Sequence, residues 1–430
     1  MRRRSTNSQP SAEDEQLLLQ NENMTQIPLT NDDESSVNLK TSPIRFYILI
    51  LFSAFNCLQS LIWNMFSPLE NVLTNKTNEK FNDLDITPAD IYLFPNWGCI
   101  MMILILPFFS YLLNKRMIRE AIMINGVLCF LVAVVRIVPQ ETLDKVCAPS
   151  DTGIAQNPIQ INENQNLFTS ITHLFSEISS FSRSNPHCIK RKWLLHLGQF
   201  LNGICGCICC AAPGKISAIW FSKKERGAGT TFILTWQWIG VLLSFWLGPN
   251  IVIDDISQLE KYLTNQAWVL LIVGLSMLAY FPAKPKLFPS NTAYNQYHAI
   301  PEPLYDIFKS LFNFETNKSF WVLTSVASCT AGVFSIFSAQ IDDIFRNKLD
   351  PDTHHHHEDR DQEAANLGVV MTIAGVAVNF ILGSWIYKLK GKLKPILMGT
   401  TFIGMLMCLI LTLIINLNIG QMVTDWIIWI

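Results

Sequence analysis

Nine long apolar stretches recur along this 430-residue chain with almost no charge inside them. They run near Phe46 to Phe66, Ile91 to Leu113, Ile118 to Ile137, Trp193 to Ala212, Gly227 to Ile253, Ala267 to Phe281, Phe320 to Ile341, Leu367 to Tyr387 and Pro395 to Ile415. A hydrocarbon core about 30 Å thick needs roughly 20 apolar residues per helical crossing, and a helix satisfies its own backbone in lipid. The pattern predicts an all-α, polytopic membrane protein with nine complete spans and lipid as its first partner. Only 15% of the residues are charged, against about 25% in a soluble domain. The net charge of -2 by itself says nothing about nucleic acid, and no nucleic-acid partner is assigned. Gln421 to Ile430 reads as the first half of a tenth span, so either the final helix is partial or the chain is truncated at its C-terminus.

Lys and Arg set the orientation, because they are retained on the cytosolic side. The leader, the even-to-odd loops and the loop after the sixth span together hold 20 of the 32 basic residues; the opposite side receives 11, and Arg136 closes the third span. A cytosolic N-terminus follows. Lys190, Arg191 and Lys192 are the local exception, standing just before the fourth span on the side read as lumenal. Residues 1–44 are expected to be a disordered cytosolic leader, and 45–282 a six-helix bundle with a large lumenal loop at 138–192. Residues 283–318, with Pro285, Pro289, Pro301 and Pro303, form a central cytosolic loop, and 319–430 an incomplete second bundle. A long central loop after six helices suggests a 6+6 carrier whose halves rock about a midplane site.

Polar residues inside spans are costly and commonly face a cavity or a partner. Asn56, Gln59 and Trp63 share one helical face of the first span, with Asn64 beside them. They are either helix-to-helix glue or a pocket wall whose indole stacks on a flat or cationic solute. His196, Gln199 and Asn202 share a face of the fourth span, followed by Gly203 and Gly206; the two carboxamides suit a neutral polar substrate. The seventh span offers Ser335, Ser338 and Asp342, with Gly332 one turn earlier. Asp342 is the candidate proton-coupling carboxylate, since burial raises a carboxyl pKa toward the pH of an acidic compartment. The alternative is that Asp342 and Asp343 simply begin a solvated loop.

The remaining signals are local. Glu13, Leu17, Leu18 and Leu19 fit an acidic dileucine in two registers, a peptide that clathrin adaptors bind in extended form, and a motif of this kind gains meaning from its disordered context. Cys205, Cys207, Cys209 and Cys210 read as small packing residues of a membrane helix, and no metal site or cofactor is assigned. Cys147 and Cys188 bracket the lumenal loop and could pair as a disulfide. His354 to His357 read as part of a solvated charged loop. Asn75 heads the one glycosylation sequon on the lumenal side; those at Asn23 and Asn317 face the cytosol. No nucleophile and base, phosphate cradle or zinc motif occurs, so an enzyme is not expected. A channel and a receptor or scaffold without transport stay open beside a carrier.

Several of these stretches resemble a known family. Gln59-Ser60-Leu61-Ile62-Trp63-Asn64, Gly198-Gln199-Phe200-Leu201-Asn202-Gly203, Ala211-Ala212-Pro213, Trp220-Phe221-Ser222-Lys223-Lys224-Glu225-Arg226 and Leu278-Ala279-Tyr280-Phe281-Pro282 are similar to the major facilitator superfamily. Within it they resemble solute carrier family 49, the relatives of the feline leukaemia virus subgroup C receptor. The likeness covers about residues 45 to 410. It implies a 6+6 helical carrier of a small molecule, in one branch a lysosomal membrane protein exporting pyridoxine (vitamin B6) with protons, while cousins carry choline or are linked to haem. It also implies that Trp63 and Gln199 line the substrate pocket. The sequence departs from the superfamily at Asn114, where an acidic residue is usual, at Met117, where Gly is usual, and at Tyr387 in the second half.

Replacing Leu17, Leu18 and Leu19 together by Ala removes the apolar anchors of both dileucine registers and is expected to move the protein from lysosomes to the cell surface. Surface biotinylation of the triple variant checks it; unchanged lysosomal residence would show that the address lies elsewhere.

Overall fold

The computed structural model describes residues 40–74, 86–137, 191–253, 256–299, 318–339, 357–385 and 393–416, with a few single positions between 301 and 317. All nine apolar stretches are helical there. In chain order the helices are α1 Ile44–Asn64, α2 Glu70–Thr74, α3 Pro88–Asn114, α4 Ile118–Ile137, α5 Arg191–Trp220, α6 Arg226–Ile251, α7 Ile256–Ala279, α8 Asn291–His298, α9 Lys318–Ala339, α10 His357–Trp385 and α11 Leu393–Asn416. A 3-10 turn at Ser67–Leu69, with Pro68 in it, links α1 to α2. No strand occurs among the described residues, and six of the helices are long and apolar enough to cross a membrane. The chain is an all-α, multi-pass membrane protein.

Several helices outrun their apolar stretches, each for a local reason. α3 begins at Pro88 because Thr87 caps it: the Thr87 hydroxyl accepts from the Asp90 amide while the Asp90 carboxylate accepts from the Thr87 amide, a reciprocal box that satisfies two orphan donors. α7 begins at Ile256, well before the apolar stretch at Ala267, because its first turns are amphipathic and bury Leu259, Tyr262 and Leu263. α5 continues through Pro213 to Trp220; neighbouring helices make such interruptions tolerable in a membrane bundle. α10 starts at His357, the last residue of the stretch read above as loop, with Glu358 and Asp359 in its first turn. α9 runs without a break through Gly332.

The first six spans pack in pairs, α1 on α6, α3 on α5 and α4 on α7, and α4 also leans on α5. Glycines make the close approaches, because without a hydrophobic drive between helices association depends on backbones coming near each other. A Cβ on Gly240 of α6 would run into the Cys57 carbonyl of α1. One on Gly203 of α5 would lie 3.0 Å from Gly98 Cα and 3.0 Å from Trp97 O of α3. Gly126 of α4 and Gly274 of α7 face each other in the same way. Cys205, Cys207 and Cys209 are buried in this apolar interior, whereas Ile103, 77% exposed, and Trp246 and Ile272 point outward. From the second half, α10 lies on α6, where Asn379 Nδ2 donates to Thr235 Oγ1 at 2.9 Å.

At the face of the bundle near the start of α1, polar contacts tie the connections down. Arg45 Nη1 donates to Glu225 Oε2 at 2.8 Å, and the Ser222 hydroxyl donates to the same oxygen at 2.8 Å. Partial burial pulls the Glu225 carboxyl upward, but the Ser222 hydroxyl and then the Arg45 guanidinium hold it below the ordinary value. Arg116, in the left-handed turn between α3 and α4 with φ 65°, donates to the His298 carbonyl at 2.7 Å and to Ala299 O at 2.5 Å. A cation at the C-terminal end of α8 complements that helix's dipole.

Gly240→Ala is expected to force α1 from α6, since a carbonyl of the helix backbone cannot swing aside as a side chain can. The cost of such overpacking is about 1–3 kcal/mol or more. A lowered thermal unfolding midpoint of the purified variant checks it, with Gly214→Ala as control, because a Cβ there meets nothing within 4 Å.

Candidate functional site

The first-span face meets the fourth-span face inside the bundle. Gln59 Nε2 donates to Asn202 O at 3.3 Å, and Asn202 Nδ2 donates back to Gln59 O at 3.2 Å. Further along the seam, Gln199 Nε2 donates to Ile62 O at 2.9 Å. All three side chains are buried. The half-buried Trp63 sits where two glycines leave room, its indole against Gly98 of α3 and Gly206 of α5, and the Gln59 carboxamide touches the same Gly206. The carboxamide nitrogens of this group are spent on helix backbones, while two of the oxygens have no partner. Asn56 Nδ2 bonds Phe52 O at 2.9 Å, yet Asn56 Oδ1 and Gln59 Oε1 are buried with no hydrogen-bond partner. Asn64 turns its amide back to Ser60 O at 3.0 Å on its own helix.

Toward the far end of the bundle lies a second polar group. Asp90 of α3 and His196 of α5 are both almost fully buried, with Asp90 Oδ1 and His196 Nε2 3.0 Å apart. The Trp97 indole N–H donates to His196 Nδ1 at 3.1 Å. Aromatic rings surround the imidazole: Phe94 with centroids 4.5 Å apart and Trp193 at 5.6 Å. Phe66 stacks behind Phe94 at 4.3 Å.

A third group centres on Arg136 at the end of α4, buried to 3% exposure. Its Nη1 donates to Gln266 Oε1 at 3.3 Å and its Nη2 to Met65 Sδ at 2.8 Å, while Nε has no partner. The buried Tyr262 lies one turn before Gln266 on α7. Among the described residues, no carboxylate pairs with this guanidinium.

The structure therefore brings Gln59, Trp63, Gln199 and Asn202 together and leaves Asn64 turned back on its own helix. The backbone of Ser335 lies in α9. Asp342, Asn75, Cys147, Cys188, Glu13, Leu17, Leu18 and Leu19 lie outside the described residues. Asp90 and Trp97 were missed by sequence reasoning. Thr87-Pro88-Ala89-Asp90 carries a capping signature, and Asp90 and Trp97 stand seven apart, on one helical face; together these could have placed both inside a helix with a shared direction.

Comparison with known proteins agrees with this architecture. The family model for the Major Facilitator Superfamily matches residues 179–429. The chain is similar to the solute carrier family 49 member 4 homolog of Xenopus laevis, 25% identical over 372 residues that cover 82% of this chain and 66% of that protein. It is also similar to the choline/ethanolamine transporter flvcr2a of Danio rerio, 22% identical over 50% of this chain and 45% of that protein. The human choline/ethanolamine transporter FLVCR2 matches at 21% identity over 54% of this chain and 43% of its own length. The chain thus spans 66% of the length of the first of these relatives.

Interhelical side-chain hydrogen bonds in membranes average about 0.6 kcal/mol and reach about 1.7. Gln199→Ala and Asn202→Ala should each lower stability by amounts of that order, read as small shifts in the thermal unfolding midpoint. A much larger loss would mean that the seam is a keystone of folding.

Proposed function

The chain belongs to the major facilitator superfamily, and on that premise we propose that it is a proton-driven secondary carrier. Its solute is a small, flat, hydroxyl-bearing organic molecule of the pyridoxine type, exported across the lysosomal membrane. The observation that carries the reading is the pair of buried, unpartnered acceptors, Asn56 Oδ1 and Gln59 Oε1, on the helix face that also presents the Trp63 indole. An unpaired buried acceptor costs about 1–3 kcal/mol, so this face favours a ligand that brings hydroxyl donors. An indole beside it favours a ring or a cation. A choline-like solute is the second reading: two relatives are named as choline/ethanolamine transporters, and a quaternary ammonium suits the same indole. Such a solute has one hydroxyl for two acceptors, which ranks it behind a polyhydroxylated ring.

The other elements of the proposal rest on the sequence. The leader with Glu13, Leu17, Leu18 and Leu19 supplies the lysosomal address through a clathrin adaptor, Asn75 takes the glycan, and Cys147 and Cys188 are available to pair as a disulfide. Asp342 is a proton-carrying group of the second half. Residues 45–282 form the first rocking unit and 319–430 belong to the second.

Trp63→Ala should weaken binding of a flat substrate by about 1–3 kcal/mol while Trp63→Phe keeps part of it. Uptake of labelled pyridoxine into vesicles at matched expression measures this, with unlabelled choline as competitor. Equal uptake by parent and Trp63→Ala would return the indole to a packing role, and stronger competition by choline than by pyridoxine itself would promote the second reading.

A further inference from the structure

The hydrogen bonds around His196 fix its protonation state. Trp97 Nε1 can only donate, so His196 Nδ1, 3.1 Å away, must present a lone pair. In a neutral imidazole the hydrogen then sits on Nε2, where it points at Asp90 Oδ1, 3.0 Å away. The other oxygen, Asp90 Oδ2, accepts from the Thr87 amide at 2.8 Å and from the Thr87 hydroxyl at 2.7 Å. Three donors thus converge on the Asp90 carboxyl group.

When the imidazole takes up a further proton, Nδ1 is the place for it, because Nε2 already carries its hydrogen toward Asp90. There it meets the Trp97 N–H head-on, two hydrogens on one line, and the indole must leave. The imidazolium so formed keeps its bond to Asp90 and gains the faces of Phe94 and Trp193. We propose that His196 is a proton-binding site and that Trp97 is the latch it releases, so that protonation unfastens α3 from α5 at the end of the bundle away from the N-terminus.

The latch sits next to the substrate face. Trp97 is followed by Gly98, the residue against which the Trp63 indole rests, and Gly203 of α5 touches both Gly98 and the Trp97 carbonyl. A turn of α3 that frees the Trp97 ring therefore moves the seat of Trp63. The charged and titratable groups at this end are Asp90 on α3, Lys192 on α5 itself, Arg136 on α4 lying against Gly198 of α5, Glu70 on α2 and Tyr262 on α7. Lys192, whose ammonium lies 5.6 Å over the Trp193 ring, and Arg136 oppose the added charge; Asp90, in direct contact, favours it.

The inference deepens the proton-driven reading given above and supplies a proton site in the first half, separate from Asp342. Its test needs no substrate. The full chain in lipid nanodiscs is titrated from about pH 8 to about pH 5, across the ordinary range of a histidine, and the emission of Trp97→Phe is subtracted to isolate Trp97. The expected result is a single titration of the Trp97 component in the parent. His196→Gln should abolish it, because a carboxamide can donate to Asp90 and accept from Trp97 yet takes no proton. Asp90→Asn should move the midpoint to lower pH, since the carboxylate that favours the imidazolium is gone. A flat parent, a titration that survives in His196→Gln, or a midpoint unmoved in Asp90→Asn would each overturn the proposal. Uptake under a pH gradient is measured separately in the same variants: transport indifferent to pH in the parent would sink the proton-driven carrier, whereas the spectroscopic titration alone decides the latch.

Discussion

A carboxamide inside a hydrocarbon slab has no water to bond, so it gains by folding back on its own backbone or by reaching a neighbour. In this bundle the second choice, made three times along one seam, sets the geometry of the rest. Gln59 and Asn202 bond each other's backbone carbonyls, and Gln199 bonds Ile62. A reciprocal pair of this kind fixes both the axial register and the rotation of α1 against α5, because a shift of either helix breaks both bonds together. With the register fixed, Trp63 can only fall at the height of Gly98 and Gly206. The orientation of the amides has a further effect. Their nitrogens are consumed in hydrogen bonds to helix backbones, and on the Gln59 face of α1 two carboxamide oxygens, Asn56 Oδ1 and Gln59 Oε1, stay unpartnered.

Polar groups are spread along the bundle axis with a division of labour. The seam is neutral, whereas the far end is charged, with Asp90 and Arg136 both nearly inaccessible to solvent. Asp90 is supported on every side, by the capping threonine and by His196. Arg136 is not: its bonds run to Gln266 and Met65, neutral groups, with some help from its position at the C-terminal end of α4. A buried charge with neutral partners is a poor source of stability. Arg136 sits at the junction of α1, α4, α5 and α7, against Met65, Gly198 and Gln266.

The helices were legible because lipid enforces a coarse rule: every apolar run of sufficient length became a helix. The rule fails at the ends. Ile256 to Gln266 of α7 and the residues of α5 beyond Ala212 carry polar groups that lower their hydropathy, yet they pack on neighbours and stay helical. Faces were legible too, since Asn56, Gln59 and Trp63, and His196, Gln199 and Asn202, each align by helical spacing. Pairing between faces was not. His196 stands 106 residues from Asp90 and 99 from Trp97, and nothing in one sequence says which of the eight other spans a given face will meet. The two glycines that seat Trp63 were hidden for the same reason: Gly206 reads as a small residue for close approach, and only the partner ring shows what approaches.

Dense packing turns these separate features into one mechanism. Interiors at crystal-like density transmit displacement, because a moved side chain finds no void to absorb it. Along α3 the relevant residues are neighbours in sequence, Trp97 bonded to His196 and Gly98 bearing on Trp63, so both contacts ride on the same rigid turn. Along α5 His196 and Gly206 share one continuous helix, with Gly203 pressed between them on the α3 backbone. A change at the imidazole has two routes to the indole, one through each helix, and Gly203 leaves neither route slack. On the proposed reading, coupling between the proton site and the solute site requires no distant relay; it requires only that α3 and α5 have two packings of similar energy, one with the Trp97 ring bonded and one with it released.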